Sequence, residues 1–160
     1  MSGSKGFRTP DASDKPERGE INLNLRTVHR MLPLVRRIVD DILTTQNALA
    51  RLQPEERSLD RQKRVLTWPQ RQRRYQLKDE LTQTDLHLQG ALSELRELGV
   101  VLLDGDHGRV GFPTLVNNRR AYFSWHPGEE GLHSWQFADE DTTRPIPVAW
   151  LKELSFSGKA

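Results

Sequence analysis

Between positions 126 and 133 the chain reads His-Pro-Gly-Glu-Glu-Gly-Leu-His, which puts two imidazoles and two carboxylates inside eight residues. Nitrogen and oxygen donors of this kind are the ligands of zinc and similar ions. The spacing is not the helical one that aligns two histidines, and Pro127 with Gly128 and Gly131 predicts a loop. His126 and His133 are therefore weak metal candidates, Glu129 and Glu130 are expected to be solvated turn residues, and no cofactor is predicted. His29 and His87 have no neighbouring acid at a fixed spacing, His107 is expected in a turn, and all three are assigned no role.

A sharper group is Trp125, Glu129, Trp135, Arg119, Arg120 and Arg144. Tryptophans at strand ends could floor a pocket in which a guanidinium clamps a carboxylate or phosphate with two parallel bonds. The competing expectation, and the favoured one, is that both tryptophans are core and that Arg144 pairs with Glu129 to pin a loop to the sheet. A small sheet needs its large aromatics to make any core.

The third group is basic. Residues 54–78 hold eight Lys or Arg against three acids, among them Arg57, Arg61, Lys63, Arg64, Arg71, Arg73, Arg74 and Lys78, with Trp68 and Tyr75 interleaved. A surface that follows phosphates and stacks on bases needs that combination. Helical arginines are more often solvated or paired with acids on a facing helix, here Asp40 and Asp41 or a second subunit. Arg64, Arg71, Arg73, Arg74 and Lys78 are the nucleic-acid candidates.

No catalytic residue is predicted. The chain has no cysteine, which removes thiol nucleophiles, thiolate metal sites and disulfides together. It also has no phosphate-cradling glycine loop and no Ser-His-Asp word. Unbroken apolar runs stop at four residues, as at positions 100–103, far short of the roughly 18 that span a membrane. The opening residues carry no signal-like apolar stretch, so a cytoplasmic location is expected.

Two long helices must carry the basic group. Leu25, Val28, Leu32, Val35, Val39 and Ile42 recur at alternating steps of three and four, the spacing of a coiled-coil seam. Asn24 is the expected N-cap, with Leu23 and Val28 as a hydrophobic staple. Pro33 predicts a kink or a helix start close to it, and the helix is expected to end near Gln53-Pro54. Trp68-Pro69 is expected to interrupt a polar helical run, after which Leu77, Leu81, Leu88, Ala91, Leu92, Leu95 and Leu98 mark a second helix from about Gln70 to Leu98, closed by Gly99. Gly90 inside that helix predicts close approach of the first one.

Beyond Gly99 the apolar period becomes that of strands. Residues 100–103, 109–112, 121–125 and 134–137 are expected strands, joined by turns at Gly105 to Gly108, Asn117-Asn118 and His126 to Glu129, with a helical turn at 148–154. Residues 1–20 balance four basic against four acidic groups with almost nothing apolar, and are expected to form a disordered tail before a single domain over 21–160. The fold class is α+β: a long antiparallel helical hairpin, then a small four-stranded antiparallel β-meander.

Seven short words in this order resemble the bacterial family of domains of unknown function 2203. They are Leu32-Pro33-Leu34, Gly99-Val100, Gly108-Arg109-Val110-Gly111-Phe112-Pro113, Ser124-Trp125, Gly128-Glu129, Trp135-Gln136 and Arg144-Pro145. The family words have Gly-Leu-Val-Asp-Phe-Pro, Cys-Trp and Trp-His where this chain has Gly111 for the acid, Ser124 for the cysteine and Gln136 for the histidine. The resemblance implies the fold and no activity. Any family reaction that needs those three side chains should be absent or altered here.

The expected role is a non-enzymatic interaction or scaffold module with a self-associating helical hairpin and a protein partner or second copy. The alternatives are a nucleic-acid or ribosome-associated protein using residues 57–78, and a small anionic ligand or metal in the meander.

Overall fold

The computed structural model of the protein describes residues 22–157, so the expected tail at 1–20 lies outside the described residues. Helix α1 spans Leu25–Arg61 and starts as its sequence requires. Asn24 is extended, and its side-chain oxygen accepts from the amide of Thr27 at 2.8 Å. Leu23 packs on the core and donates its amide to the Pro113 carbonyl at 2.7 Å, which ties the helix entry to the sheet. All six seam residues are buried, and Ile38 joins them.

Helix α1 is longer than expected. It runs through Pro33 and Pro54 and neither begins at the first nor ends at the second. Both prolines, and the residues four positions before them, His29 and Ala50, are exposed. The carbonyls that lose an amide partner therefore lie on the wet face, where water can bond them.

Helix α2 spans Trp68–Glu97. Trp68-Pro69 opens this helix rather than interrupting one, because the first-turn amide that proline lacks has no intrahelical partner in any case. Thr67 and Gln70 close a capping box, the Gln70 amide donating to the Thr67 hydroxyl at 3.4 Å and the Thr67 amide to the Gln70 side chain at 2.8 Å. Gly99 ends the helix in the left-handed region, φ 81°, with its amide on the Arg96 carbonyl and the Val100 amide on that of Leu95. Gly90 is not a close-approach site. It is exposed, and a Cβ there would meet nothing within 4 Å, because α2 turns Leu77, Leu88, Ala91 and Leu95 inward instead.

Strands β1 (Val101–Asp104), β2 (Arg109–Val116), β3 (Arg119–Trp125), β4 (Ser134–Phe137) and β5 (Arg144–Pro145) form one antiparallel sheet in chain order, and α3 (Val148–Ser157) closes the described chain. The fold class is the expected α+β hairpin and meander, with a two-residue fifth strand added to the four. Asn117 and Asn118, at φ 52° and 62°, make the two-residue turn between β2 and β3. Val110, Phe112, Ala121, Phe123, Trp125, Trp135 and Phe137 face the α1 seam together with Leu88, Ala91 and Leu95. The β1–β2 turn reaches α1 at Gly108, φ 73°, where a Cβ would lie 2.8 Å from Val39 Cγ1 and 3.0 Å from Leu43 Cδ1. Only glycine satisfies both the backbone angle and the gap.

The main core stops at Ile42 on α1 and Leu88 on α2. Beyond it the hairpin continues as an arm, in which Leu52, Leu66 and Leu77 are buried apart from the main core.

Candidate functional site

The structure divides the expected tryptophan and arginine cluster in two. Trp125, at the end of β3, donates its indole N–H to the Glu129 carbonyl at 3.0 Å, closing the 126–129 turn. The Glu129 carboxylate turns back on the same loop, accepting from the His126 amide at 3.2 Å and lying 3.1 Å from His126 Nε2. Arg36 of α1 clamps the loop from outside. Its Nη2 donates to the Glu129 carbonyl at 3.1 Å and to the Glu130 carbonyl, while its guanidinium lies 5.9 Å from the Trp125 ring centre. Sequence reasoning missed Arg36; its signal was a cation on the flank of the seam, one residue after Val35.

Arg144 does not pair with Glu129, as the sequence reading favoured. Glu129 is already held by His126, and β5 places Arg144 opposite Trp135 at the sheet edge. Arg144 bonds Glu140 at 3.0 Å and lies over the Trp135 and Phe137 rings at 5.2 and 4.8 Å. Arg119 reaches the same place from β3, 3.8 Å over Phe137 and 3.2 Å from Asp139. Both cations thus pack on a core aromatic and hold the 138–143 loop through its acids. Trp150 of α3 covers Trp135 at 5.4 Å between ring centres.

Among the described residues no group of three His, Cys, Asp or Glu side chains is placed to hold a metal ion. His133 is exposed, and its carbonyl accepts from the Ile146 amide, while the His126 ring is occupied by Glu129 and the Pro127 carbonyl. His107 pairs with Asp104 at 2.8 Å across the β1–β2 turn, and that hydrogen bond holds the Asp104 carboxyl below the usual carboxylate range.

The three substituted family positions meet on the outer face of the sheet. Gly111 stands opposite Ser124, and Gln136 opposite Tyr122, so alternation puts all three on one side. Arg109, where the family word has leucine, donates from Nη1 to Gln136 at 2.7 Å and to Ser124 at 3.3 Å; Gln136 in turn donates to the Glu140 carbonyl at 2.8 Å. Buried Ser124 thus accepts from the same cation that holds the Gln136 amide. At Gly111 a Cβ would lie 2.9 Å from both Leu103 Cδ1 and Tyr122 Cγ, so the space the family gives to an acid is filled by a ring.

At the far end of the arm the basic group also divides. Arg73 grips Glu55 with two bonds, at 2.8 and 3.0 Å, and Arg74 bonds Asp60 at 2.7 Å with Lys78 at 4.0 Å. These pairs join the last turns of α1 to the first turns of α2. The arginine hydrogen bonds lower the carboxyls of Glu55 and Asp60 below their ordinary range and raise Arg73 above its own. Arg64 and Arg71 make no ion pair among the described residues, nor do Arg57 and Lys63. Three large apolar side chains stand out beside them: Val65, Trp68 and Tyr75 are 78%, 67% and 71% exposed.

No curated protein and no solved structure gives a significant match to the chain. Among the described residues no helix is long and apolar enough to cross a membrane. The model of the family described as uncharacterized conserved protein (DUF2203) matches residues 23–143, from the residue that ties α1 to the sheet to the one before β5. That span is most of the chain and contains the hairpin, the four longer strands and the loops that hold them together, and the protein belongs to the DUF2203 family.

Proposed function

We propose that the protein is a non-enzymatic interaction module whose helical arm self-associates, with the sheet end as its rigid base. The observation that carries this reading is a cleft of about 560 Å³ along the arm, lined by Leu49, Leu81 and Leu86 and edged by Glu56 and Asp85 against Arg57 and Lys78. Two acids and two bases around an apolar strip are self-complementary under a two-fold axis, the commonest symmetry of protein assemblies. The α1 seam is already covered by α2 and the sheet, so self-association would use this cleft rather than the seam.

Leu86 is 60% exposed, so an aspartate there leaves the fold intact and charges the cleft. Light scattering at tens of micromolar should find the wild-type protein as a dimer and the Leu86→Asp variant as a monomer. A wild-type monomer under those conditions removes the reading. A bacterial, cytoplasmic setting is part of the same proposal, and recovery of the protein with membranes on cell fractionation would oppose it.

A further inference from the structure

We propose that the tip of the hairpin is a binding surface for single-stranded nucleic acid, separate from the cleft along the arm. Trp68, Arg71, Gln72 and Tyr75 stand at i, i+3, i+4 and i+7 of α2 and share one face across its first two turns. Both aromatics on that face are about two-thirds exposed or more. Elsewhere in the molecule Trp125 and Trp135 are buried and Trp150 is packed on the core. The positions of Trp68 and Tyr75 on the helix are offset by about 10 Å along its axis at 1.5 Å per residue.

Charge selects the partner. The three acids of residues 54–78 are Glu55, Glu56 and Asp60. Two of them are taken up by Arg73, Arg74 and Lys78, which join the helices, and Glu56 lies along the cleft. Arg64 in the connection and Arg71 on the aromatic face are left without a counter-ion among the described residues, while the charge of Lys63 acts on Asp60. Unpaired cations attract any polyanion. Exposed flat rings on the same face add stacking, which unpaired bases offer and an acidic protein surface or a duplex does not.

The test is fluorescence anisotropy of the full-length protein with labelled mixed-sequence RNA and DNA single strands of about 16 nucleotides, the upper end of common site sizes, and with the matching duplex. Binding should be seen at about 50 mM salt and fall steeply as salt rises. Trp68→Ala and Tyr75→Ala should each weaken it by about five- to tenfold or more, with Tyr75→Phe restoring it. A protein carrying both Arg64→Gln and Arg71→Gln should lower the slope of log affinity against log salt by about 1.4. All these positions are exposed, and unchanged circular dichroism verifies that each variant folds. Tighter binding of either the RNA or the DNA strand supports the proposal and identifies the sugar it prefers. Absence of binding to both strands at low salt overturns it. So does binding that ignores the two aromatic substitutions or is equal for duplex and heparin, which is attraction to a polyanion alone. Leu86→Asp should bind the strands as the wild type does, so failure here and failure of self-association are separate results.

Discussion

The two ends of the hairpin are made from the same two helices and differ in what their apolar residues face. At the sheet end, α1 and α2 meet an aromatic layer and bury a continuous seam from Leu25 to Ile42. Charges there serve packing: Arg36 holds loop carbonyls, and Arg119 and Arg144 lie on Phe137. At the tip no third layer exists among the described residues. Leu52, Leu66 and Leu77 fill the space between the helices, while Val65, Trp68 and Tyr75 face water. A sheet this small can cover only part of a helix pair on the order of 50 Å long at 1.5 Å per residue. The rest of the arm is joined by these three leucines and its own ion pairs and leaves a face open to water.

Substitutions that meet the core and substitutions on a bare helix face should therefore differ in size. The largest effect is expected from Val39→Asp, which buries an unpaired charge where α1 meets Gly108 and the core. A loss on the order of 4 kcal/mol or more should abolish the cooperative urea transition. Gly108→Ala comes next. It forces a Cβ against Val39 and Leu43 at a positive φ, and should cost about 1–3 kcal/mol by urea unfolding. Gly90→Ala should go the other way, because that position is helical and open, and stabilise the protein by about 0.5–1 kcal/mol. A loss at Gly90 as large as that at Gly108 would break the comparison, since it would mean that α2 is covered where the structure leaves it bare.

The smallest effect is a pH dependence of the tip. The folded carboxyls of Glu55 and Asp60 are lowered, so their contribution is present above the ordinary carboxylate range of about 4 and is lost as pH falls below it toward the lowered values. Amide exchange read by NMR should show residues 55–75 losing protection as pH falls below the ordinary carboxylate range of about 4, ahead of β3 and β4. The Asp104–His107 turn, where the carboxyl is lowered in the same direction, should respond alongside the tip. Equal loss in β3 and β4 would mean that the two ends unfold as one unit.

Local rules made much of this molecule legible. The step of three and four from Leu25 to Ile42, the Asn24 cap, the Gly99 stop, the Asn117-Asn118 turn and the alternation of the strands each follow from one residue type at one spacing, and each stands as expected. Five of the seven family words sit on those same elements, while Gly128-Glu129 lies in the turn after β3 and Arg144-Pro145 on β5. The errors came where a local penalty was outweighed. Proline was expected to stop α1 at position 54, but the helix continues for seven residues because the freed carbonyl faces water and Glu55 and Asp60 find arginines on α2. Glycine was expected to mark close approach at position 90, but no spacing rule states which way α2 rotates about its axis.

The candidate sites show the same division. Residue types alone settled that the chain has no thiol chemistry and that its middle is basic. Pairing was decided in three dimensions. Arg144 goes to Glu140 rather than Glu129, Arg73 and Arg74 are used between the helices while Arg64 and Arg71 are not, and Arg109 fills a place where the family words have no charge. A charge chooses its partner by distances of a few ångströms, and those distances are set by register and helix rotation, which no short stretch of sequence contains.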